Sequence, residues 1–240
     1  METERIMGDY EVFKEAIFRL TKIDLNCYKE RQMKRRIDSL ISRSKVSGYD
    51  EYVELLRTNH EKLEEFIAYL TINVSEFYRN PEQWRLLENE MFPYLFERFG
   101  NDLKIWSAAC STGDEPYTLV MLLAKFIPMS RIRIIATDID KQVLEKAQIG
   151  LYDEKSIRGL PNEYITKYFT KIGARSYQIS DEVKRCVEFK QHNLLKDPYI
   201  RDCHMIVCRN VMIYFTEEAK KDIYEKFCAS IQKDGLLFVG

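Results

Sequence analysis

From residue 103 onward the sequence alternates short apolar runs with helical patterns, and that alternation leaves few folds open. The runs are Leu103–Ala108, Ile132–Thr137, Met205–Cys208 and Leu236–Val239. Between them, 116–127, 140–149 and 216–232 carry apolar residues at helical spacing. Strands separated by helix-length segments predict a mostly parallel α/β sheet with helices on both faces. Thr216 is placed to cap the last helix and Gly235 to end it.

The first ~75 residues have a different pattern. Val12, Phe13, Ala16, Ile17 and Leu20 recur at helical spacing, as do Met33, Ile37, Leu40 and Ile41, and then Leu63, Phe66, Ile67 and Leu70. No strand alternation interrupts them, so residues 1–75 are expected to form a small helical domain and 76–240 the α/β domain. The Asn80–Pro81 pair predicts a helix start, with Asn80 as N-cap and Pro81 in the first turn.

One stretch breaks the alternation of the second domain. In 175–191, "RSYQISDEVKRCVEFKQ", Tyr177/Ile179 and Val187/Phe189 alternate with polar residues around "SDE". This predicts an antiparallel hairpin inserted into the α/β domain, within a subdomain spanning about 160–191. The final "DGLLFVG" reads as a strand, and the domain is expected to need a further element beyond it.

Composition removes several classes of function. Basic and acidic residues number 37 and 38, without the basic excess of a general nucleic-acid binder. No apolar run is long enough for a membrane helix, and the N-terminus lacks a signal-peptide core. The 6 cysteines are scattered without a Cys-x-x-Cys pair, which predicts a reducing cytoplasm and free thiols. His60, His192 and His204 show no ligand spacing with those cysteines, so no metal is expected.

The loop after the first strand narrows the ligand class. In "WSAACSTGDEPYTL", Ser107, Ala108, Ala109, Ser111 and Gly113 are small, so backbone can approach a ligand closely. In an open α/β sheet that loop lies where ligands bind. Yet there is no P-loop and no Gly-x-Gly-x-x-Gly. Asp114 and Glu115 stand where a pyrophosphate would need a neutral or positive helix start. A nucleoside carrying positive charge fits better, and S-adenosylmethionine is one. The plainer alternative is that both acids only complement the helix dipole. Asp138, at the end of "RIRIIATD", can accept hydrogen bonds from ribose hydroxyls, while Asp140 is placed to cap the next helix.

Four segments together, "NVSEFYRN", "WSAACSTGDEPYTL", "ATDID" and "VCRNVMIYF", resemble the chemotaxis receptor methyltransferases of the CheR type. The resemblance covers roughly residues 10–240. It implies a helical N-terminal domain, a Rossmann-like methyltransferase sheet and an inserted antiparallel subdomain. The family usually has Glu where this chain has Asp114, and it continues past the position of Gly240. The implied activity is methyl transfer from S-adenosylmethionine to receptor glutamates, giving methyl esters and S-adenosylhomocysteine. The implied partner is the cytoplasmic part of chemotaxis receptors, met by a cytoplasmic monomer with no nucleic acid and no membrane insertion. By motif match, cofactor contacts fall on Asn73, Ser75, Arg79, Glu115, Asp138, Asn193, Leu194, Arg209 and Asn210.

A glutamate acceptor is already ionised at neutral pH, so no general base is required. Arg79 is the expected group for orienting it, because a guanidinium grips a carboxylate with two parallel hydrogen bonds. Tyr214 is the second catalytic candidate. In "YKERQMKRRIDSLISR", Arg31 and Arg35 lie opposite Met33 on the helical wheel, a basic face suited to docking a glutamate-rich receptor helix. Other readings stay open: methylation of a small molecule or nucleic acid, or a non-catalytic S-adenosylmethionine sensor.

Overall fold

The computed structural model describes residues 9–239. They divide into two compact units: the chain up to Ile72 together with Met212–Asp222, and Asn73–Val211 together with the chain from Ile223. Asn73 and Ser75 therefore fall in the second unit, and Tyr214 in the first.

In the first unit the helical spacings produce helices. These are α1 (Tyr10–Thr21), α2 (Glu30–Arg43), α3 (Tyr49–Thr58) and α4 (His60–Thr71). Asp9 caps α1 by accepting the Glu11 N–H at 2.8 Å, and Asn59 caps α4 through the Lys62 N–H. The core gathers Phe13, Ile17, Ile37, Tyr49, Tyr52 and Phe66, with Phe13 and Tyr49 ring centroids 4.8 Å apart. Val12, one of the helically spaced apolar residues, turns outward. Met33, Ile37, Leu40 and Ile41 are the buried face of α2, as their spacing required. Burying a side chain such as Ile37 contributes about 1.5–3 kcal/mol. Residues 212–216 join this unit through backbone: the Lys29 N–H donates to the Tyr214 carbonyl and the Thr216 N–H to the Cys27 carbonyl, both at 2.9 Å.

The second unit opens with α5 (Pro81–Leu86), a π-turn (Leu87–Met91) and α6 (Phe92–Phe99). Asn80 precedes Pro81 but its side chain makes no cap hydrogen bond; it sits at φ 60° and accepts from Arg209 at 3.2 Å instead. Then come β1 (Ile105–Ala108), α7 (Asp114–Leu123), β2 (Ile134–Asp138), α8 (Lys141–Ile149), β3 (Leu151–Asp153), α9 (Glu154–Ile157) and α10 (Asn162–Tyr168). The chain continues with β4 (Phe169–Lys171), β5 (Ser176–Ile179), α11 (Asp181–Lys184), β6 (Val187–Gln191), β7 (Cys203–Cys208), α12 (Glu217–Cys228) and β8 (Ile231–Val239). Thr216 does cap α12, accepting the Ala219 N–H. No described helix is long and apolar enough to cross a membrane.

The main sheet has the order β6-β2-β1-β7-β8, and every pairing in it is parallel. Successive strands depart from β1 to either side, so the order reverses between β1 and β7. That reversal opens a crevice at the carboxyl ends of these strands. β1 is buried along its whole length, which is why it reads as an unbroken apolar and small-residue run.

The expected hairpin over 175–191 does not form. β5 pairs antiparallel with β3 and β4 in a separate sheet, order β3-β5-β4, whereas β6 pairs parallel with β2. "SDE" is not a turn between paired strands but the start of α11, capped by Ser180. The alternation of β6 arises because it is the edge strand, buried at Val187 and exposed at Glu188 and Lys190. The antiparallel subdomain is therefore built from strands between Leu151 and Ile179.

Gly235 does not end the last helix, which stops at Cys228. It lies inside β8, next to Asp234 at φ 70°, where the pairing with β7 shifts register. A Cβ there would stand 2.9 Å from the His204 carbonyl oxygen, so the irregular strand start needs glycine.

Candidate functional site

The loop after β1 is tight and strained. Ala109 has φ 62°, Ser111 φ 48° and Gly113 φ 88°. Only glycine adopts this region without cost, so its use by Ala109 and Ser111 must be enforced by neighbours. The end of β2 supplies that enforcement. The Cys110 N–H donates to the Thr137 carbonyl at 2.9 Å, and the Ser111 N–H to Asp138 Oδ2 at 2.8 Å. Tyr152 Oη donates to the Thr112 carbonyl from the subdomain at 2.7 Å.

Three acids converge on this loop. Asp138 is buried, with Oδ1 accepting the Asp140 N–H at 3.0 Å and Oδ2 accepting Ser111. The Ile139 N–H is a third backbone donor to this carboxylate, and with about four lone-pair sites in all the group keeps capacity for a further donor. Burial lifts the Asp138 carboxyl to about 6, against the pull of the backbone N–H groups. Glu115, on the first turn of α7, accepts the Ser107 hydroxyl at 2.8 Å. Burial pushes it to about 7, opposed by the Arg209 guanidinium 3.9 Å away. Asp114 is buried, accepts the Thr112 hydroxyl at 2.5 Å and is hydrogen-bonded to Ser75. Its Oδ1 and the Ser111 Oγ are buried without a partner. Buried polar atoms left unpaired are costly, and these two lie in the ligand loop.

Residues 73–80 run past these acids as a strap fixed at several points. Asn73 donates to Asp140 Oδ2 at 2.7 Å, while Asp140 Oδ1 caps α8 at Gln142. The Phe77 N–H donates to the Ser156 carbonyl at 2.9 Å, and the Phe77 ring is fully buried against Tyr152 and Phe169. The Tyr78 N–H reaches the Thr118 hydroxyl at 3.4 Å. Arg79 is half-buried and spends Nη1 on the Val74 carbonyl at 3.2 Å.

The far strand ends complete the crevice. The His192 N–H donates to the Asp138 carbonyl at 2.9 Å, which sets the chain that leads to Asn193 and Leu194. Asn193 Oδ1 accepts the Leu195 N–H and its own N–H donates to Asp197, so these residues form a turn. Arg209, at the end of β7, is buried over the Trp84 ring with its guanidinium carbon 4.8 Å from the centroid. Asn210 follows at φ 56°.

Linked contacts thus tie Asn73, Ser75, Arg79, Glu115, Asp138 and Arg209 into one network, with Asn193 and Leu194 attached through His192. Tyr214, Arg31 and Arg35 belong to the first unit; Tyr214 is half-exposed, and both arginines are exposed on α2. Sequence reasoning did not assign Gln83, Thr118 or the second contact of Asp140, because each works across the fold. Buried acids, unpaired oxygens and a close-approach loop fit a cationic adenosyl ligand; a pyrophosphate would face Asp114 and Glu115 instead.

The chain matches two family models: "CheR methyltransferase, all-alpha domain" over residues 8–71 and "CheR methyltransferase, SAM binding domain" over residues 73–240. It is 40% identical to a chemotaxis protein methyltransferase of Listeria innocua, covering 97% of this chain and 88% of that one. It is 35% identical to one of Salmonella typhimurium, over 84% of this chain and 72% of that one. Among solved structures, PKMT2 from Rickettsia typhi in complex with AdoHcy superposes at TM-score 0.41 with 18% identity, over 69% of this chain and 26% of that chain.

Proposed function

The chain belongs to the CheR methyltransferase family and is a methyltransferase with an S-adenosylmethionine-binding domain, and from that premise we propose that it methylates glutamate side chains of chemotaxis receptors, forming methyl esters. The observation that carries the reading is the set of carboxyls, Asp114 and Asp138 buried and Glu115 with its side chain 13% exposed, around the strained β1 loop and beside the Arg79 strap. Those residues suit a cation with ribose hydroxyls on one side and an anionic acceptor on the other.

Bound there, S-adenosylmethionine supplies an electrophilic methyl group next to positive charge. Everything else is positioning by the chain. Asp138 accepts the ribose hydroxyls. Glu115, with Asn73 and Ser75, lines the cationic end, and Asn193, Leu194, Arg209 and Asn210 close the remainder. Arg79 has guanidinium N–H groups beyond the one given to Val74, and it orients the acceptor glutamate with two parallel bonds. An acceptor of pKa about 4.3 is ionised without help, so the enzyme's task is alignment and exclusion of water. Tyr214 is the second candidate for the acceptor side. Arg31 and Arg35 dock the acidic receptor helix and speed its association. Free cysteines fit a cytoplasmic enzyme acting on the cytoplasmic part of receptors. Mass spectrometry of a receptor cytoplasmic fragment after incubation with enzyme and S-adenosylmethionine tests this: modified peptides must carry the methyl group on glutamate.

A further inference from the structure

Arg79 sits in a backbone segment that should not hold its shape unaided. Tyr78 at φ 57° and Asn80 at φ 60° flank it, both non-glycine residues in the left-handed region. Such residues persist only where the surroundings over-determine them, and they collect at functional sites. What over-determines this one is the buried guanidinium of Arg209. The two N–H groups of its Nη2 serve three acceptors, one of them shared: the Arg79 carbonyl at 2.9 Å, Asn80 Oδ1 at 3.2 Å and Gln83 Oε1 at 2.7 Å. Its Nε donates to the same Gln83 oxygen at 3.0 Å. Trp84 Nε1 gives the Arg79 carbonyl a second donor at 2.8 Å, and the Trp84 ring packs under the guanidinium. Both lone pairs of that carbonyl are therefore in use.

We propose that Arg209 and Gln83 form a latch that positions Arg79, Arg209 as the grip and Gln83 as the group that fixes the plane of its guanidinium. The inference rests on the reading of Arg79 as the residue that orients the acceptor. Gln83 is suited to its part because one amide oxygen can accept from Nε and Nη2 together, which locks the fork against rotation. Glu115, 3.9 Å from Arg209 Nη1, balances the buried charge without taking a close hydrogen bond, so the fork is free to serve the strap. Arg209 thus works through the Arg79 backbone, and its guanidinium hydrogen bonds go to the 79–83 segment.

The test compares Gln83→Leu, Gln83→Glu and Arg209→Lys with Arg79→Lys, in the whole enzyme. The readouts are kcat and KM on a receptor cytoplasmic fragment, the Kd of S-adenosylmethionine, and amide hydrogen exchange over residues 73–84. The latch predicts that Gln83→Leu lowers kcat about tenfold, leaves the cofactor Kd within about twofold and speeds exchange at Tyr78–Asn80. Gln83→Glu, which keeps the acceptor oxygen, restores kcat. Arg209→Lys, which keeps charge but not the fork, falls further than Gln83→Leu. Normal exchange and normal kcat in Gln83→Leu overturn the latch. A raised cofactor Kd with unchanged kcat in Gln83→Leu also overturns it, because Gln83 then supports Arg209 as a cofactor contact and not the Arg79 segment. If exchange accelerates in Gln83→Leu but Arg79→Lys turns over at the parental rate, the Arg79 assignment fails and the positioning role falls with it. The exchange data keep these two failures apart.

Discussion

Asp138 accepts the backbone N–H of Ser111 at 2.8 Å, so the acid at the end of β2 also shapes the loop that follows β1. In the proposed site the carboxylate that would take the ribose hydroxyls also holds a left-handed serine in place. Asp138→Ala removes both contributions. A hydrogen bond to a charged group is worth about 1.5–3 kcal/mol, so the cofactor Kd should rise roughly ten- to a hundredfold. Calorimetric titration with S-adenosylhomocysteine measures it; an unchanged Kd would remove Asp138 from the ribose site.

Cofactor affinity should depend on pH with a definite sign. Glu115 is lifted to about 7 and Asp138 to about 6, in both cases chiefly by burial. The free folded protein therefore holds protons on these groups that the unfolded chain has already released. Their contribution to stability is fully present below about pH 4, the unfolded values, and is lost as pH rises from there through 6 to 7. A bound cation favours the ionised carboxylates, so binding expels protons and tightens over the same interval. We expect affinity to rise from pH 5.5 to about 8 and then level off. Titrations in buffers of different ionisation enthalpy should report proton release near pH 6.5; pH-independent binding without proton release would contradict the charge assignment.

Gly113 should resist substitution even by alanine. Its φ is 88°, and a Cβ would stand 2.9 Å from the Ala147 Cβ and 3.1 Å from Tyr117 Cε2. Left-handed strain and local overpacking together should cost Gly113→Ala roughly 2–4 kcal/mol. A denaturant unfolding curve within about 0.5 kcal/mol of the parent would show that the loop relaxes freely.

The parts of this fold legible in sequence are those whose burial is local. β1, β2 and β7 lie inside the parallel sheet and read as apolar runs, and the α2 face Met33, Ile37, Leu40 and Ile41 follows from helical period alone. β6 misled because an edge strand of a parallel sheet alternates as a hairpin strand does, and β3, three residues long, carries too little pattern to be read. That Asp138 and Glu115 lie beside the β1 loop could be read from type and place. The latch could not: Gln83 and Arg209 are far apart in the chain, and no local rule joins a glutamine in a helix turn to an arginine at a strand end. Asn80 illustrates the same limit, since its N-cap chemistry is overridden by a tertiary partner.

Arg31 and Arg35 offer a test of docking that leaves the cofactor site alone. Both are exposed on α2, opposite buried Met33. Arg31→Glu with Arg35→Glu should slow receptor methylation several-fold at about 50 mM salt, chiefly through KM, and the gap should close as salt rises. Parental rates at low salt would leave these arginines as a solvated face.

The central claim, carboxyl methyl transfer to receptor glutamate, is tested most directly by the chemistry of the product. The enzyme is incubated with methyl-labelled S-adenosylmethionine and a receptor cytoplasmic fragment, and the labelled receptor is then held in mild base. Glutamate methyl esters release volatile methanol, so the account predicts that the label leaves the protein as methanol, and that a fragment with its acceptor glutamates changed to alanine takes up none. Label that resists base, or that enters the fragment without those glutamates, would contradict it.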